Sequence, residues 1–360
     1  MILIAFFLAS ICLLAAVIPF FPMAHGIVRV FDFPRIQFAL LSAGLVLTSI
    51  SLLPLNVPGL LTAAMAMTAL AIQLYYMLPF TPLRGHRTKA FEGNSHDVAS
   101  VKLLVSNVKM SNRKYDLLQK MIRDTSPDIA LFMETDKDWV DALDQVTSDY
   151  PFRLSCPLGT SYGLHLVSRF PFESDEIKFL LKDEVPSFDI VIKQNEHNTF
   201  RLIAIHPEPP VIKDETVGRD AEIALVGENI RDYEKPLIVT GDLNDVAWSR
   251  TTRRFLRISR LLDPREGRGF FNTFDARFFF LRWPLDHIFH SPHFQLIAIK
   301  RMPFVGSDHF PMFYNLALTG QQSINDPVES ASKQDFKEVD DVIKQEKNRD
   351  KAPVGTNWED

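Results

Sequence analysis

Three long runs without a charged side chain lie within the first eighty residues, and they exclude a chain that folds as one water-soluble globule. Residues 2–21, 36–53 and 57–80 contain no Asp, Glu, Lys or Arg. A helix rises about 1.5 Å per residue and a bilayer's hydrocarbon layer is about 30 Å thick, so each run is long enough, or nearly so, to cross it. The first run has no Lys or Arg before it and no clear small-residue cleavage site, which favours a retained helix over a cleaved signal peptide. The second and third are separated by a tight, proline-bounded connection at 54–58, the pattern of a helical hairpin. Tyr75 and Tyr76 fit an interfacial position near the end of the third.

The net charge of −5 and near-neutral mean hydropathy conceal these unlike parts. We expect a membrane region at 1–83, a polar linker at 84–97, a folded domain at 98–318 and a disordered tail at 319–360 with at most a transient helix near 332–347. The tail's ten acidic and six basic residues after position 319, against few apolar ones, are the basis for that last expectation. Arg29 and Arg35 lie between the first two spans, and Arg84, Arg87 and Lys89 follow the third. This bias favours a cytoplasmic side for both regions and an outward N-terminus. The two cysteines, Cys12 and Cys156, sit in different regions and predict no disulfide.

In the distal domain, short apolar runs recur at 101–108, 128–134, 164–168, 188–193, 200–205, 237–240, 287–290 and 294–300, with helix-compatible segments at 111–125 and 214–233. Polar residues stand repeatedly where these strands stop. Asn107 and Glu134 end two of them, and His206 closes LIAI before Pro207. The stretch TGDLND (240–245) follows LIVT; Gly241 permits a close backbone approach, and Asp242 and Asn244 can face one cleft if the backbone stays extended. DHIF (286–289) and SDHF (307–310) add Asp286, Asp308 and His309, with Asp286 a plausible partner for the His309 imidazole. His287 and His290 have a spacing that does not require both to face the cleft, and they read as structural.

Phosphoester cleavage needs a metal to polarise the phosphate, an activated water and donors for the developing charge. Carboxylate and amide oxygens suit a hard divalent cation, and this chain supplies them without a Cys–His cluster. The ordered motifs SNV (106–108), MET (133–135), HP (206–207), TGDLND (240–245), DHIF (286–289) and GSDHFP (306–311) resemble the endonuclease/exonuclease/phosphatase superfamily over roughly residues 100–318. The resemblance implies an α/β fold: a four-layered sandwich of two packed mixed sheets with outer helices, binding Mg²⁺ or Mn²⁺. It further implies Asn107, Glu134 and Asp308 around the metal and Asp242 orienting water. Asn244 and His206 would contact the scissile phosphate, and Asp286 would support His309, which stabilises the transition state. The N-terminal spans also resemble a membrane-bound branch that includes VanJ-like proteins, whose domain is drawn outside the cytoplasmic membrane, against the charge bias above.

Two motifs depart from the superfamily pattern: Met133 precedes Glu134 where relatives carry Gln, and 162–169 reads YGLHLVSR, with His165 in place of a small residue or amide. These departures weaken any transfer of a DNA-contact scheme.

Nine arginines between 250 and 282 accompany only Asp263, Glu266 and Asp275, and Phe270, Phe271, Phe274, Phe278, Phe279, Phe280 and Trp283 interleave with them. Such an interval would attract phosphate and offer apolar contact, or form a solvated helix face. With three spans in the chain, the expected substrate is a membrane-associated or lipid-linked phosphate ester at a multi-pass bacterial cytoplasmic membrane. DNA or RNA phosphodiesters and a non-catalytic membrane scaffold are the alternatives. The bilayer is the expected partner, with no protein partner.

Overall fold

The structure is a computed structural model that describes residues 1–94, 98–320 and 325–355. Parts of the expected linker (95–97) and tail (321–324 and 356–360) lie outside the described residues. Helices α1 (Ile2–Val17), α3 (Arg35–Leu52) and α4 (Val57–Met77) pack together, and with their short extensions they form three segments long and apolar enough to cross a membrane. Their mutual faces use small residues, Ala5, Ala9, Cys12 and Ala16 on α1 and Ala66 and Ala69 on α4. Small side chains let helix backbones approach closely where lipid supplies no hydrophobic drive between helices. Leu3, Phe7, Leu40, Leu47 and Ile50 point outward. The short α2 (Gly26–Arg29) lies between the first two spans.

The distal region begins with β1 (Ser100–Asn107), α5 (Tyr115–Thr125), β2 (Ile129–Met133), α6 (Lys137–Asp144), β3 (Phe152–Cys156) and β4 (Leu164–Ser168). It continues through β5 (Phe172–Phe179), β6 (Pro186–Lys193), β7 (Thr199–Ala204), α7 (Val217–Ile230), β8 (Leu237–Asp242), α8 (Arg250–Ser259), β9 (Asp286–His290), β10 (Phe294–Arg301), β11 (Met312–Leu318) and α9 (Lys333–Lys347). One sheet has the order β10-β11-β1-β2-β4-β3 and the other β5-β6-β7-β8-β9. Both are mixed: β1 and β2 run parallel, as do β7 and β8, while the other pairings are antiparallel.

Alternation along the strands makes the layers. Val101, Leu103 and Val105 face Ile190, Leu202 and Ile238 in the core between the sheets. The opposite side of the first sheet, with Leu104, Ala130 and Phe132, is covered by Leu118 and Ile122 of α5 and Trp139 of α6. On the second sheet Ile203, Val239 and Phe289 are covered by Ile223 and Val226 of α7 and Phe255 of α8. The result is the expected four layers. The ends of β1, β2, β8 and β9, together with the loop after β7, meet along one edge.

Helix α9 corrects the expectation of a disordered tail. Ser332 caps it in a reciprocal box with Asp335, and Val339 and Val342 bury against Val217, Ala221 and Ile258. Its acids meet the arginines of α8: Glu338 pairs with Arg250 and Arg254, and Asp335 with Arg257 at 2.5 Å. The arginine-rich interval is therefore largely internal glue. Arg265 is buried against Asp263 at 2.7 Å, and Arg277 pairs with Asp275 at 2.5 Å. The expected linker is also fastened, because Phe91 N–H donates to Leu296 O at 2.9 Å and Leu296 N–H to Lys89 O at 3.0 Å.

The domain-facing ends of the spans are joined to the distal region. Trp248 Nε1 donates to Asp32 O at 2.6 Å, and Arg29 lies 3.4 Å from Asp220, both ends buried. Phe80, Phe33 and Ile36 pack with Trp248, Leu285 and Trp283. At 24–26 the chain pairs with the loop after β7: Gly26 N–H donates to Asp214 O at 2.8 Å and Thr216 N–H to Ala24 O at 2.9 Å. A Cβ at Gly26 would fall 1.8 Å from Val211 O, so only glycine permits this approach.

Candidate active site

Every candidate site residue comes to the same sheet edge. Glu134 follows β2 with φ +59°, a left-handed conformation that is costly for a residue bearing a Cβ and that turns its carboxylate toward β1. Asn107 Nδ2 donates to Glu134 Oε1 at 2.7 Å and to Asp242 Oδ2 at 3.1 Å, clamping two acids from different sheets. Its Oδ1 accepts the Lys109 N–H at 3.0 Å. Burial pushes the Glu134 carboxyl up to about 7, offset in part by the Asn107 amide.

The expectation of an extended backbone through GDLND is corrected. Gly241 has φ +144° and Asn244 φ +51°, and Asn244 N–H folds back onto Asp242 Oδ1 at 2.9 Å. A Cβ at position 241 would stand 1.9 Å from Ile205 O, so this glycine lets β8 press against the segment that carries His206. Asn244 still lines the cavity, with one amide N–H spent on Pro207 O at 3.0 Å. His206 Nε2 is 3.9 Å from Asp242 Oδ2, and its Nδ1 is buried without a partner among the described residues. Burial lowers its pKa, although Asp242 opposes that effect, which leaves a neutral ring able to donate one N–H.

Asp286 opens β9 directly opposite Asp242. Its Oδ2 lies 2.8 Å from His309 Nδ1, and His309 Nε2 lies 3.4 Å from Asp242 Oδ2. Burial alone would lower the His309 pKa, but the surrounding carboxylates, Asp286 first and then Asp242, raise it to about 10. The ring is held as a cation, its orientation fixed by Asp286 and its face covered by Phe274 at 4.9 Å. Asp308 Oδ2 accepts from Lys109 Nζ at 2.9 Å.

Sequence reasoning missed Lys109 and Tyr162, which stand beside the candidate cluster. Lys109 lies two positions beyond Asn107, and that proximity is the one local signal for it. Tyr162 packs on His206, with ring centroids 5.9 Å apart, and donates to Val354 O. Nothing local in the sequence marks it. His165 does not reach the cavity: it is buried on the outer side, 2.6 Å from Ser155 Oγ and stacked on Phe132, with burial lowering its pKa to about 4. His287 and His290 are buried supports, with Arg265 at 2.6 Å from His287 Nδ1 and Thr88 at 2.9 Å from His290 Nε2.

The donor set fits a hard divalent cation. Glu134, Asp242 and Asp308 line the cavity and Asp286 stands opposite Asp242, with His309, Lys109 and, 3.7 Å from Asp308, Arg277 as cationic balance, and Glu134 is a half-buried acid whose bonding is confined to amide donors. Asp242, Asp286 and His309 lie with their polar atoms within 4.8 Å of one another, but a protonated His309 has no lone pair to offer, so of these three only the carboxylates can ligate a cation. Because His309 is already committed to Asp286, the Glu134 side of Asp242 is the better-suited pole.

Two mixed sheets with outer helices, and an edge cluster of carboxylates, amides and histidines, define a metal-dependent hydrolase of phosphate esters. The sequence profile of the Endonuclease/Exonuclease/phosphatase family matches residues 104–309, more than half of the chain, and the chain belongs to that family. No curated protein sequence matches it. The human Nocturnin catalytic domain with bound sulfate is similar in structure at 15% identity and TM-score 0.52, covering 62% of this chain and 96% of that one. D. rerio TDP2 complexed with single strand DNA product is similar at 15% identity and TM-score 0.50, covering 60% and 98%. At such identity these likenesses speak for the fold alone.

Proposed function

We propose that residues 1–83 anchor a catalytic unit at 98–318, which hydrolyses membrane-associated phosphate esters with Mg²⁺ or Mn²⁺. The observation that carries this reading is the convergence of Glu134, His206, Asp242, Asn244, Asp308 and His309 on one cavity beside the membrane-proximal ends of the spans. Glu134, with Asn107 and Asp308, would hold the ion, which when bound polarises the phosphate and steadies the leaving oxygen. Asp242 accepts a proton from the attacking water, positioned by its contact with the Asn107 amide. His206 and the free N–H of Asn244 donate to the phosphate oxygens, and the cationic His309 stabilises charge as the P–O bond breaks.

A second reading, a DNA or RNA phosphodiesterase, has the stronger support from the comparisons, namely the family and the DNA-bound state of the D. rerio protein. The lipid reading draws its support from the spans and from the apolar walls of the cavity. The affinity to VanJ-like membrane proteins belongs to the same proposal. The test is a panel of single-stranded DNA, RNA, phospholipids and polyprenyl phosphates, offered to the full-length chain in detergent with and without Mg²⁺. Turnover of nucleic acid with all lipid phosphates inert establishes the second reading.

A further inference from the structure

The cavity, of about 590 Å³, has two unlike ends. One carries the catalytic groups. The other is hydrocarbon, and part of it comes from the segment between the first two spans: Val30, Phe33 and Pro34 line the cavity together with Ile212, Leu281 and Trp283. A phosphoesterase acting on a wholly polar substrate has no need of such a wall.

This wall is built into the fold. Backbone hydrogen bonds hold 24–26 to 214–216, the buried Arg29–Asp220 pair holds α2, and the Trp248 indole holds Asp32. Phe33 meets Trp283 edge to face, with centroids 5.7 Å apart. The apolar surface continues outside the cavity. Ile212 is 57% exposed, Met23 and Ile27 are exposed on the same segment, and Phe20 and Phe21 are exposed at the end of the first span. Hydrocarbon side chains therefore follow one segment of chain from the cavity lining at Val30 and Phe33 to Phe20 and Phe21 at the end of the first span.

We infer that this apolar end is a subsite for the hydrocarbon chain of an amphiphilic phosphate ester, which enters from the bilayer with its phosphate leading. The inference rests on the phosphoesterase reading and names the class of group that the phosphate carries. The occupant is a lipid chain because the subsite is continuous with the phosphate-handling groups at one end and with the membrane-level surface at the other.

The test uses the full-length chain in nanodiscs with Mn²⁺ and two chromogenic diesters that share a p-nitrophenyl leaving group, methyl and hexadecyl p-nitrophenyl phosphate. The ratio of their kcat/KM values is the readout. Ile212→Ser, at an exposed position, and Phe33→Ser each lower the hexadecyl-to-methyl ratio about tenfold through KM, since the hydrocarbon surface they remove can shelter only the long chain from water. An unchanged ratio in Ile212→Ser overturns the subsite. So does a wild-type chain that hydrolyses the methyl ester and ignores the hexadecyl ester, an outcome that leaves the phosphoesterase reading standing. If neither diester is hydrolysed, diester cleavage is excluded, and binding of hexadecyl phosphonate decides the subsite: weaker binding by Ile212→Ser supports it, and no binding by wild type overturns it. Cleavage of single-stranded oligonucleotide, with displacement of the phosphonate and no hexadecyl turnover, assigns the cavity to nucleic acid and also overturns it.

Discussion

His309 Nδ1 stands 2.8 Å from Asp286 Oδ2, a contact that joins the loop before β11 to the first residue of β9 and fixes the imidazole as a cation. Asp286→Asn removes the carboxylate that does most to raise the His309 pKa. Turnover should fall about a hundredfold, within the usual range for losing one preorganised charge stabiliser, and the alkaline limb of the kcat profile should move to lower pH. Because the ring's pKa is raised, its charge is present at neutral pH and lost as pH rises through about 10 in the native enzyme. A profile that drops in height without moving would show that Asp286 only supports the fold.

Chelation should abolish hydrolysis, and Mg²⁺ or Mn²⁺ should restore it. Glu134→Gln keeps the side-chain volume and the bond to Asn107 while removing charge, so Mn²⁺ affinity measured by electron paramagnetic resonance should weaken by about tenfold or more. Full turnover after verified metal removal contradicts the metal assignment. Asp242→Asn should leave the thermal transition near that of the wild type and reduce turnover strongly; near-normal turnover would discard Asp242 as the proton acceptor.

Gly26→Ala inserts a methyl group at the 1.8 Å approach to Val211 O, where two backbones would have to separate. Hydrogen exchange at 211–216 should accelerate while the amides of β1 and β2 stay protected. Unchanged exchange there would mean that the segment can shift as a body without losing its bonds to Asp214 and Thr216.

Glu222 on α7 is buried with Glu208 and Glu346 nearby, and burial first, then those two acids, raises its carboxyl to about 8. A raised acid stabilises the fold fully below its unfolded value and loses that contribution as pH climbs through the folded one. Wild-type stability should therefore decline between about pH 4.5 and 8, and each tenfold difference in proton affinity between the folded and unfolded chain is worth roughly 1.4 kcal/mol. Glu222→Gln should flatten that decline in denaturant titrations. A parallel decline in the variant would place its origin elsewhere.

What the sequence made legible was whatever is local. The uncharged spans and the strand ends at Asn107 and Glu134 are contiguous patterns, and each lies where its pattern indicates. β5 was not legible because FESDEIKF is an edge strand whose acids face water, so alternation carries little apolar signal. The fate of the arginines depended on partners far along the chain: Arg250 and Arg254 meet Glu338 more than eighty residues later. That pairing turned an expected phosphate-attracting surface into a helix interface and gave α9 its place. The left-handed Asn244 and the role of Lys109 were hidden for the same reason, since tertiary contacts set them.

If the substrate is the amphiphilic ester proposed above, lining the cavity with the segment between α1 and α3 changes the measure of concentration that the site responds to. For a ligand confined to the leaflet, encounter is set by mole fraction in the surface, and a small total amount becomes a high local density. Inert lipid added at constant substrate then acts as a diluent and slows the reaction, although the molarity in the tube is unchanged. Saturation curves belong on an axis of surface composition, and two preparations of equal bulk concentration differ in rate whenever their bilayer area differs.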